Sequence, residues 1–532
     1  MATTLLQEIE TKLRVESASE LDRIPRWVAE RGGLCSPIET RNVRDVYLDT
    51  PDRWFYRVGV ACRIRTFSKS GRRELTLKSL MLPEAGLAIR TEFTEALKGA
   101  KTAHYPDRFP GRAIMRRLLP WLEDRKVSPV FILDQKRRVF TANFPKTGLQ
   151  IEISLDETRL MGTSHRMPVV EFELQKGSAS DLRVLTRACR QELGTQKETP
   201  SKFAWASRHS GIQWPEPPPD TPILAASDRF VDGVYRILET QWALMDWNLP
   251  GTGVGLHPDK PHDLRVAVRR LTVALRIFKE ILPPIKTTRL ITDLKWINGI
   301  LSQVRDLEVY QAQLHQDLAE VRPDFRQALE FYARMVRLEH HHEFRRLIRI
   351  LRSARWAETW ARIKQFVDSR AIIPEQRELA DTQLHDILPD LVRQSIRKTL
   401  KKGRALSQSR SPEDLHQLRR RCRKLRYLCE FLQQVYGRSL RKIWRRANAC
   451  QSALGQHQDA VVEMALIRAF RESTPARASG RKMIGRALDR LEARRLKRAV
   501  ESQSFFKKAW KRFDSGDLFK KVLKQMRQTR KP

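Results

Sequence analysis

Residues 8–12 read Glu8-Ile9-Glu10-Thr11-Lys12, with charged and uncharged side chains in strict alternation. On a β-strand, positions i, i+2 and i+4 share a face, so Glu8, Glu10 and Lys12 project together while Ile9, Thr11 and Leu13 point the other way. The same period recurs in Ala61 to Arg65, Glu74 to Lys78, Ile89 to Phe93, Leu149 to Leu155 and Val169 to Leu174, segments rich in β formers and punctuated by Gly and Pro. A sheet with one wet face accounts for any single strand of this kind. Six of them, carrying unlike charges at matched spacing, predict a closed barrel whose polar inward face satisfies acid with base. Two helices are expected among the strands: Ser19 to Arg31, opened by an N-cap-type Ser, and Gly111 to Arg125.

The strand signal ends at a stretch that neither helix nor sheet tolerates, Pro215-Glu-Pro-Pro-Pro-Asp-Thr-Pro222. It predicts a first domain over 1–213, a linker over 214–222 and a second domain over 223–526. Beyond the linker, long segments with a 3.6-residue period are separated by short breaks such as Leu282-Pro283-Pro284 and Tyr436-Gly437, so this half is expected to be all-helical. It also repeats itself. His262-Asp-Leu-Arg265-Val-Ala-Val-Arg269-Arg270 resembles His416-Gln-Leu-Arg419-Arg-Arg-Cys-Arg423-Lys424 at an offset of 154 residues. Asn298-Gly299 to Arg305-Asp306 answers Leu454-Gly455-Gln-His457-Gln-Asp459 at 153. Two related helical units around a pseudo-twofold axis follow from that. The overall class is α+β and multidomain.

Charge divides along the same boundary. Of a formal net charge of +39 in 532 residues, +11 lies before residue 214 and +28 after it. Such a balance calls for a polyanionic partner: nucleic acid, an anionic surface or a polymer of phosphate. No apolar run approaches the ~20 residues that span a bilayer, and residues 1–30 lack a signal-peptide core, so no membrane insertion and a cytoplasmic address are expected. Cys35, Cys62, Cys189, Cys422, Cys429 and Cys450, with no CxxC pair, are expected to be reduced thiols in packed positions.

Acid and base in one lumen suggest a task for each. Carboxylates ligate hard divalent cations, and Lys and Arg clamp phosphoryl oxygens, a combination suited to metal-assisted attack of water on a phosphoanhydride. With these residues in view, the N-terminal half resembles the CYTH superfamily of triphosphate tunnel metalloenzymes. The resemblance rests on Glu8-Ile-Glu10-Thr-Lys12 and continues in order through Tyr47-Leu-Asp49-Thr50, Arg63-Ile-Arg65, Thr76-Leu-Lys78, Arg90-Thr-Glu92, Arg137, Gln150-Ile-Glu152, Asp156, Glu171-Phe-Glu173 and Ser201-Lys202. It implies an eight-stranded antiparallel tunnel with flanking helices that binds a linear triphosphate end-on with Mg²⁺ or Mn²⁺. By the same resemblance Glu8, Glu10, Glu171 and Glu173 hold metal. Arg63, Arg65, Lys78, Arg90, Arg137 and Lys202, together with Lys12, contact the triphosphate. Lys12, Glu92, Glu152 and Asp156 form the implied catalytic set, the three carboxylates orienting ligands or positioning water. The sequence departs from the family pattern at Gln175, in place of a third alternating Glu, at Trp205, in place of an Arg, and at Thr94 with Glu95, which moves a charge off the inner face.

At 100° per residue, His262, Arg265, Arg269 and Arg276 fall within about a 60° sector of one helix, and His416, Arg419 and Arg423 repeat the pattern with Arg426 nearby. A solvated basic face is the plain account of such a run. Duplication, and the cost of like charges at i, i+4 without an anion, favour an anion site that the histidines join by gaining charge. This half resembles the CHAD domain, a conserved-histidine α-helical domain of two pseudo-symmetric four-helix bundles. That resemblance implies inorganic polyphosphate binding through His262, Arg265, Arg269, Arg270, Arg276, His416, Arg419, Arg423, Lys424 and Arg426, and in some members an address at polyphosphate granules. The two stripes differ in charge, since Glu430 answers Arg276 and His457 answers Val304.

The leading expectation is hydrolysis of inorganic triphosphate to phosphate and pyrophosphate, as in bacterial CYTH–CHAD triphosphatases. Its rivals are a class IV-type adenylate cyclase or organic triphosphatase on the same tunnel, and a nucleic-acid-binding protein with an inactive tunnel, which no helix-turn-helix, RNP or zinc-finger signature supports. Two lesser signals remain. His340-His341-His342 point about 100° apart on a helix and do not share one metal site. Phe505-Phe506-Lys507-Lys508-Ala-Trp510-Lys511 interleaves aromatic and basic residues as single-strand binders do, but an amphipathic closing helix is the favoured reading.

Overall fold

A computed structural model of the protein describes residues 4–81, 88–97, 112–122, 125–196, 200–406, 411–473, 481–515 and 517–528. The chain divides into two compact units: Met1–Pro217 with Trp247–Pro261, and Pro218–Asp246 with His262–Pro532. No helix among the described residues is long and apolar enough to cross a membrane.

The first unit is built on nine strands: β1 (Thr4–Arg14), β2 (Leu34–Cys35), β3 (Glu39–Asp49), β4 (Val60–Phe67), β5 (Arg73–Ser79), β6 (Ala88–Leu97), β7 (Ser128–Phe144), β8 (Leu149–Leu160) and β9 (Arg166–Lys176). Their order is β2-β7-β3-β4-β5-β6-β1-β9-β8, and a further pairing of β7 with β8 closes the sheet. Setting aside the two-residue edge strand β2, the result is the expected eight-stranded antiparallel barrel. The expected strands all lie within it, but β3 and β7 complete it without having shown a period-two pattern of their own.

Alternation then sorts the side chains. On β8, Leu149, Ile151, Ile153 and Leu155 face outward, where they pack with Leu21, Ile24, Trp27 and Val28 around α1 (Arg23–Glu30) and with Leu182 and Cys189 of α4 (Ala179–Leu193). The intervening Glu152, Ser154 and Asp156 face the bore. A second apolar layer joins α2 (Trp54–Arg57) and α3 (Arg112–Leu122) to β3, β4 and β5. A third sets Phe203 and Trp205 of α5 (Lys202–His209) against Tyr47, Phe131 and Leu133. Each fully buried Leu, Ile or Phe contributes about 1.5–3 kcal/mol. The first two layers lie outside the barrel, whereas Tyr47, Phe131, Leu133 and Val169 are in phase with Asp45, Gln135 and Glu171 and face inward beneath α5, leaving the rest of the bore to polar groups. The expected helix over 19–31 begins as a 3₁₀ turn, Ala18–Asp22, without a side-chain cap from Ser17. Of the helix expected over 111–125, α3 is the described part; Gly111, Glu123 and Asp124 lie outside the described residues.

Beyond Pro217 the described chain is helical: α6 (Phe230–Val254), α7 (Asp259–Ile277), α8 (Pro284–Glu320), α9 (Pro323–Leu351), α10 (Ala354–Ser369), α11 (Arg377–Asp381), α12 (Leu384–Ala405), α13 (Pro412–Phe431), α14 (Gln433–Ser473), α15 (Arg481–Asp514) and α16 (Asp517–Gln528). The expected breaks occur where the residues demand them. Pro284 opens α8, and Gly437, at φ 49° and ψ −123°, interrupts α14. Helices α8 and α9 pack together, as do α13 with α14 and α14 with α15, and α9 with α15. The six cysteines are free thiols; five are buried as expected, but Cys35 is exposed because β2 is an edge strand too short to be covered.

Candidate active site

The barrel register brings the charged alternations into one bore. Glu8 pairs across with Arg90, Glu10 with Glu173, and Lys12 with Glu171. Arg137 lies opposite Asp156, and Glu152 opposite Glu173. The bore holds a cavity of about 400 Å³ lined by Glu8, Lys12, Arg63, Arg65, Lys78, Arg90, Glu92, Arg137, Glu171, Glu173 and Lys202, with Tyr47, Leu174 and Gln175. Eleven of the fourteen residues singled out in the sequence thus line one space, contributed by β1, β4, β5, β6, β7, β9 and the first turn of α5. Glu10, Glu152 and Asp156 lie behind or beside that lining.

Most cations in the bore already hold a carboxylate. Arg65 forks onto Asp45 with both contacts at 2.7 Å, Arg63 reaches the same group at 3.3 Å, and Gln135 Nε2 donates to it at 2.6 Å. Burial by itself would raise the Asp45 carboxyl, but Arg65 and Arg63 hold it well below the usual range. Arg137 forks onto Asp156 at 2.8 Å and reaches Glu171 at 2.6 Å, while Lys202 binds Asp156 and lies 3.1 Å from Glu171. Lys12 bridges Glu171 and Glu10, the latter at 3.0 Å, and Arg90 meets Glu10 at 2.7 Å. Glu10, although buried, is therefore kept at about 2 by Lys12, Lys78 and Arg90. Burial draws Lys202 down to about 8 despite Asp156 and Glu171.

The opposite condition holds at Glu8 and Glu173. Burial, then Glu8 and Glu152, push Glu173 up to about 7. Burial also raises Glu8, against the opposing pull of its ion pair with Lys78 and with smaller pushes from Glu10 and Glu92. Oxygen ligands with a surplus of negative charge fit a hard divalent cation. Among the described residues Glu173 has no ion-pair partner, whereas Glu8 pairs with Lys78, Glu10 with Lys12 and Arg90, and Glu171 with Lys12, Arg137 and Lys202. Among the described residues these four carboxylates do not draw together into a ligand cluster; the group with ligand atoms within 4.8 Å is Glu339, His342 and Glu343, on the outer face of α9. Asp156, with both oxygens engaged, positions Arg137 and Lys202. Glu92 accepts from Thr94 at 3.1 Å and lies 3.5 Å from Lys78.

The departures from the family pattern each acquire a physical reason. Gln175 faces the cavity and donates to Glu173 at 3.1 Å. Trp205 is buried in the apolar layer under α5. Thr94 keeps a hydroxyl in the bore, 3.2 Å from that of Thr76, while Glu95 turns outward to accept the backbone N–H of Ile114 at the start of α3. Asp49 likewise serves structure: it caps α2 through the N–H groups of Thr50, Phe55 and Tyr56 and is raised by burial to about 6. Sequence reasoning missed Asp45 and Gln135. Asp45 lay two positions before the quoted Tyr47, in phase with it, and that phase was the available signal.

In the helical unit the two repeats converge. Arg265 and Arg269 of α7 lie among Arg419 and Arg423 of α13, with Asp306 of α8 and Asp459 of α14 close to Arg265 and Arg419. Burial and neighbouring arginines bring Arg423 down to about 9 and Arg265 to about 10. The buried Nε atoms of Arg265, Arg419 and Arg423 have no hydrogen-bond partner, and Arg269 donates to the Tyr427 hydroxyl at 2.7 Å. His416 is lowered by burial and by Arg420. The half-buried His262 opens α7. Four other expected residues lie elsewhere. Arg270 and Arg426 surround Glu430 at 3.7 and 3.1 Å, and Glu430 also accepts from Trp444. Arg276 and Lys424 line a separate cavity of about 310 Å³ with Arg420 and Arg421, where burial and neighbouring cations lower Lys424 to about 8. His341 and His342 are exposed on α9, whereas His340 is half-buried, 3.7 Å from Glu308 of α8.

A closed barrel with a charged bore is a tunnel domain, and the duplicated helical unit is a second module. Family models identify both: the CYTH domain matches residues 6–204 and the CHAD domain residues 236–468. The chain carries a CYTH domain followed by a CHAD domain, and the CYTH tunnel assigns it to the enzymes that act on triphosphates. Solved structures similar to parts of the chain include the CHAD domain from the plant Ricinus communis, at 22% identity over 54% of this chain and 96% of that one, TM-score 0.45. HpAC1 from Hippeastrum, described by its dominant triphosphatase activity, matches at 23% identity over 39% of this chain and 98% of its own, TM-score 0.32. The Mimivirus capping enzyme triphosphatase matches at 13% over 35% and 89%, TM-score 0.23.

Proposed function

We propose that the tunnel hydrolyses inorganic triphosphate to phosphate and pyrophosphate with the help of Mg²⁺ or Mn²⁺, and that the arginine groove of the helical unit binds inorganic polyphosphate. The observation that carries the first part is the 400 Å³ cavity with seven cations and, among the described residues, no slot for a base. Its apolar lining is limited to Tyr47 and Leu174, and the smaller space of about 30 Å³ beside Tyr47 and Phe203 has room for little more than a water or two.

Lys12, Lys78, Arg63, Arg65, Arg90, Arg137 and Lys202 grip the phosphates, exchanging carboxylate partners for phosphoryl oxygens. Asp45 and Asp156 hold the guanidinium forks in the orientation that receives them. Glu8 and Glu173 would hold the divalent cation, which when bound would supply Lewis-acid charge to the phosphoryl oxygens. Water attacks the terminal phosphorus, the P–O anhydride bond breaks, and pyrophosphate leaves into a field of positive charge that neutralises it. Glu92 and Glu152, at the edge of the cationic lining, are the carboxylates in place to orient that water and take its proton.

The test is phosphate release from tripolyphosphate compared with cyclic AMP formation from ATP, using the full chain and its Glu8→Gln variant. Turnover of tripolyphosphate that survives Glu8→Gln, or preferential formation of cyclic AMP, would refute the tunnel assignment. Tighter binding of DNA than of polyphosphate at matched salt would refute the groove assignment.

A further inference from the structure

One cavity of the helical unit takes no part in the chemistry above. The end of α12, the start of α13 and the last turns of α15 enclose about 620 Å³, a volume typical of small-molecule sites, which run from about 300 to 1,000 Å³. One wall is aromatic: Phe506 and Trp510 lie one turn apart on α15, their ring centroids separated by 6.3 Å and their planes by 32°. Opposite them lie Leu406 and Leu415. Glycine is required at 403, because a Cβ there would overlap the Trp510 ring; the indole is seated directly on the α12 backbone. The wall is therefore fixed rather than loosely packed.

The rim is charged in a specific way. Arg404 is engaged with Asp514 at 2.9 and 2.7 Å, which ties the end of α15 to α12 and neutralises the cavity's one carboxylate. Lys507 and Lys511 also line the cavity, one turn apart, and among the described residues neither has an ion-pair partner. A flat apolar wall beside two unpaired ammonium groups matches a ligand with a planar ring at one end and an anion at the other. Aromatic side chains accept any nucleobase through its π-face, and a lysine pair suits a phosphate. We propose that this cavity binds a mononucleotide, with its base against Phe506 and Trp510 and its phosphate between Lys507 and Lys511. The site lies apart from the arginine groove, shares no residue with it and does not depend on the reading of the tunnel. A free nucleotide here would give the helical module a second, base-dependent ligand beside the phosphate polymer.

The experiment is calorimetric titration of AMP into the full chain without divalent metal, so that no turnover occurs, with a lysine variant to separate this site from other anion sites. One AMP per chain is expected, bound about tenfold or more tightly than ribose 5-phosphate, which lacks the base. The exposed double variant Lys507→Glu/Lys511→Glu should weaken AMP by about tenfold or more while leaving the melting curve in place. Phe506→Leu should narrow the gap between AMP and ribose 5-phosphate. Equal binding of the two ligands overturns the proposal. So does AMP binding unchanged by the charge reversal, a failure to saturate, or binding of an oligonucleotide that AMP does not displace.

Discussion

Replacing Asp45 with Asn removes the one negative charge between Arg63 and Arg65. Asp45 is fully buried, and its carboxylate receives both prongs of Arg65 at 2.7 Å, Arg63 at 3.3 Å and Gln135 at 2.6 Å. Asn is nearly isosteric, so packing is kept while two guanidinium groups lose their counter-charge. Breaking a buried pair by neutralising one partner costs about 3–5 kcal/mol. At about 2–4 °C per kcal/mol for a unit of this size, the tunnel transition should fall by roughly 6–20 °C. The loss should be recovered in part by metal-free tripolyphosphate, whose oxygens replace the missing charge, so the ligand should stabilise the variant more than the wild type. Arg63 and Arg65 hold the Asp45 carboxyl well below its ordinary range. A depressed acid contributes stability above its unfolded value and loses it as pH falls through the folded one. The difference between variant and wild type should therefore stay constant from about pH 5 upward and close only in strong acid. Thermal melts with and without tripolyphosphate at pH 5 and pH 8 read all three effects. A drop below about 1 kcal/mol, or a gap that closes near pH 6, would show that Asp45 does not hold the arginines as described.

Glu173 carries the opposite sign: raised to about 7, its charged form burdens the metal-free fold above that pH, and the burden vanishes below about 4.5, where folded and unfolded states are both protonated. Glu173→Gln should stabilise the metal-free protein by about 1–2 kcal/mol at pH 8, allowing for partial exposure, and by nothing at pH 4, while losing the stabilisation given by Mg²⁺ or Mn²⁺; an equal gain at both pH values would count against it. Arg495, almost wholly buried, joins Asp317 of α8 to Glu463 of α14, and Arg495→Ala should cost the helical unit about 3–5 kcal/mol in urea denaturation, with an unchanged midpoint refuting the role. Arg419→Ala with Arg423→Ala should act in reverse, weakening polyphosphate about tenfold or more while melting no lower than wild type, because crowded arginines are relieved. A large loss of stability in that pair would mean the cluster is structural.

The barrel was legible because its strands alternate, and alternation reports which face is wet. β3 and β7 escaped for a physical reason. In β7 the run Asp134-Gln135-Lys136-Arg137-Arg138 puts polar residues on both faces, since its outer side also meets solvent, and Arg44 on β3 pairs there with Asp134 at 2.7 Å. Arg137 and Lys202 came only from the family resemblance, whereas Lys12, Arg63, Arg65, Lys78 and Arg90 were legible because each alternates with uncharged neighbours. Their division into paired and unpaired carboxylates was not, because it depends on which strands are neighbours: Glu10 and Glu173 are opposite each other across two strands, yet only Glu10 lies within reach of Lys12 and Arg90. In the helical half the repeat was legible as an offset. That Arg269 meets Arg419 and Arg423 while Arg270 and Arg426 turn to Glu430 follows from helix packing, which a single helical wheel does not contain.

The two modules handle cations in different ways, and the difference has a consequence for the proposed activities. In the bore, Arg65 with Asp45, Arg137 with Asp156, Lys12 with Glu171 and Arg90 with Glu10 are paired before any ligand arrives. A triphosphate entering there gains little from simple attraction, because each contact it makes displaces or shares an existing one. Glu173 has no ion-pair partner among the described residues and lies beside Glu8 and Glu152, so a cation bound there removes repulsion that the substrate would otherwise meet. Metal and triphosphate should therefore bind the tunnel cooperatively, each raising the affinity of the other by the same factor. In the groove, the arginines press on one another with unpartnered donors, and any sufficiently long phosphate chain relieves them directly. Divalent metal, which neutralises polyphosphate without serving the arginines, should weaken that interaction. The same ion is expected to strengthen binding in one half of the chain and weaken it in the other, and titrating metal against tripolyphosphate and long-chain polyphosphate in parallel separates the two.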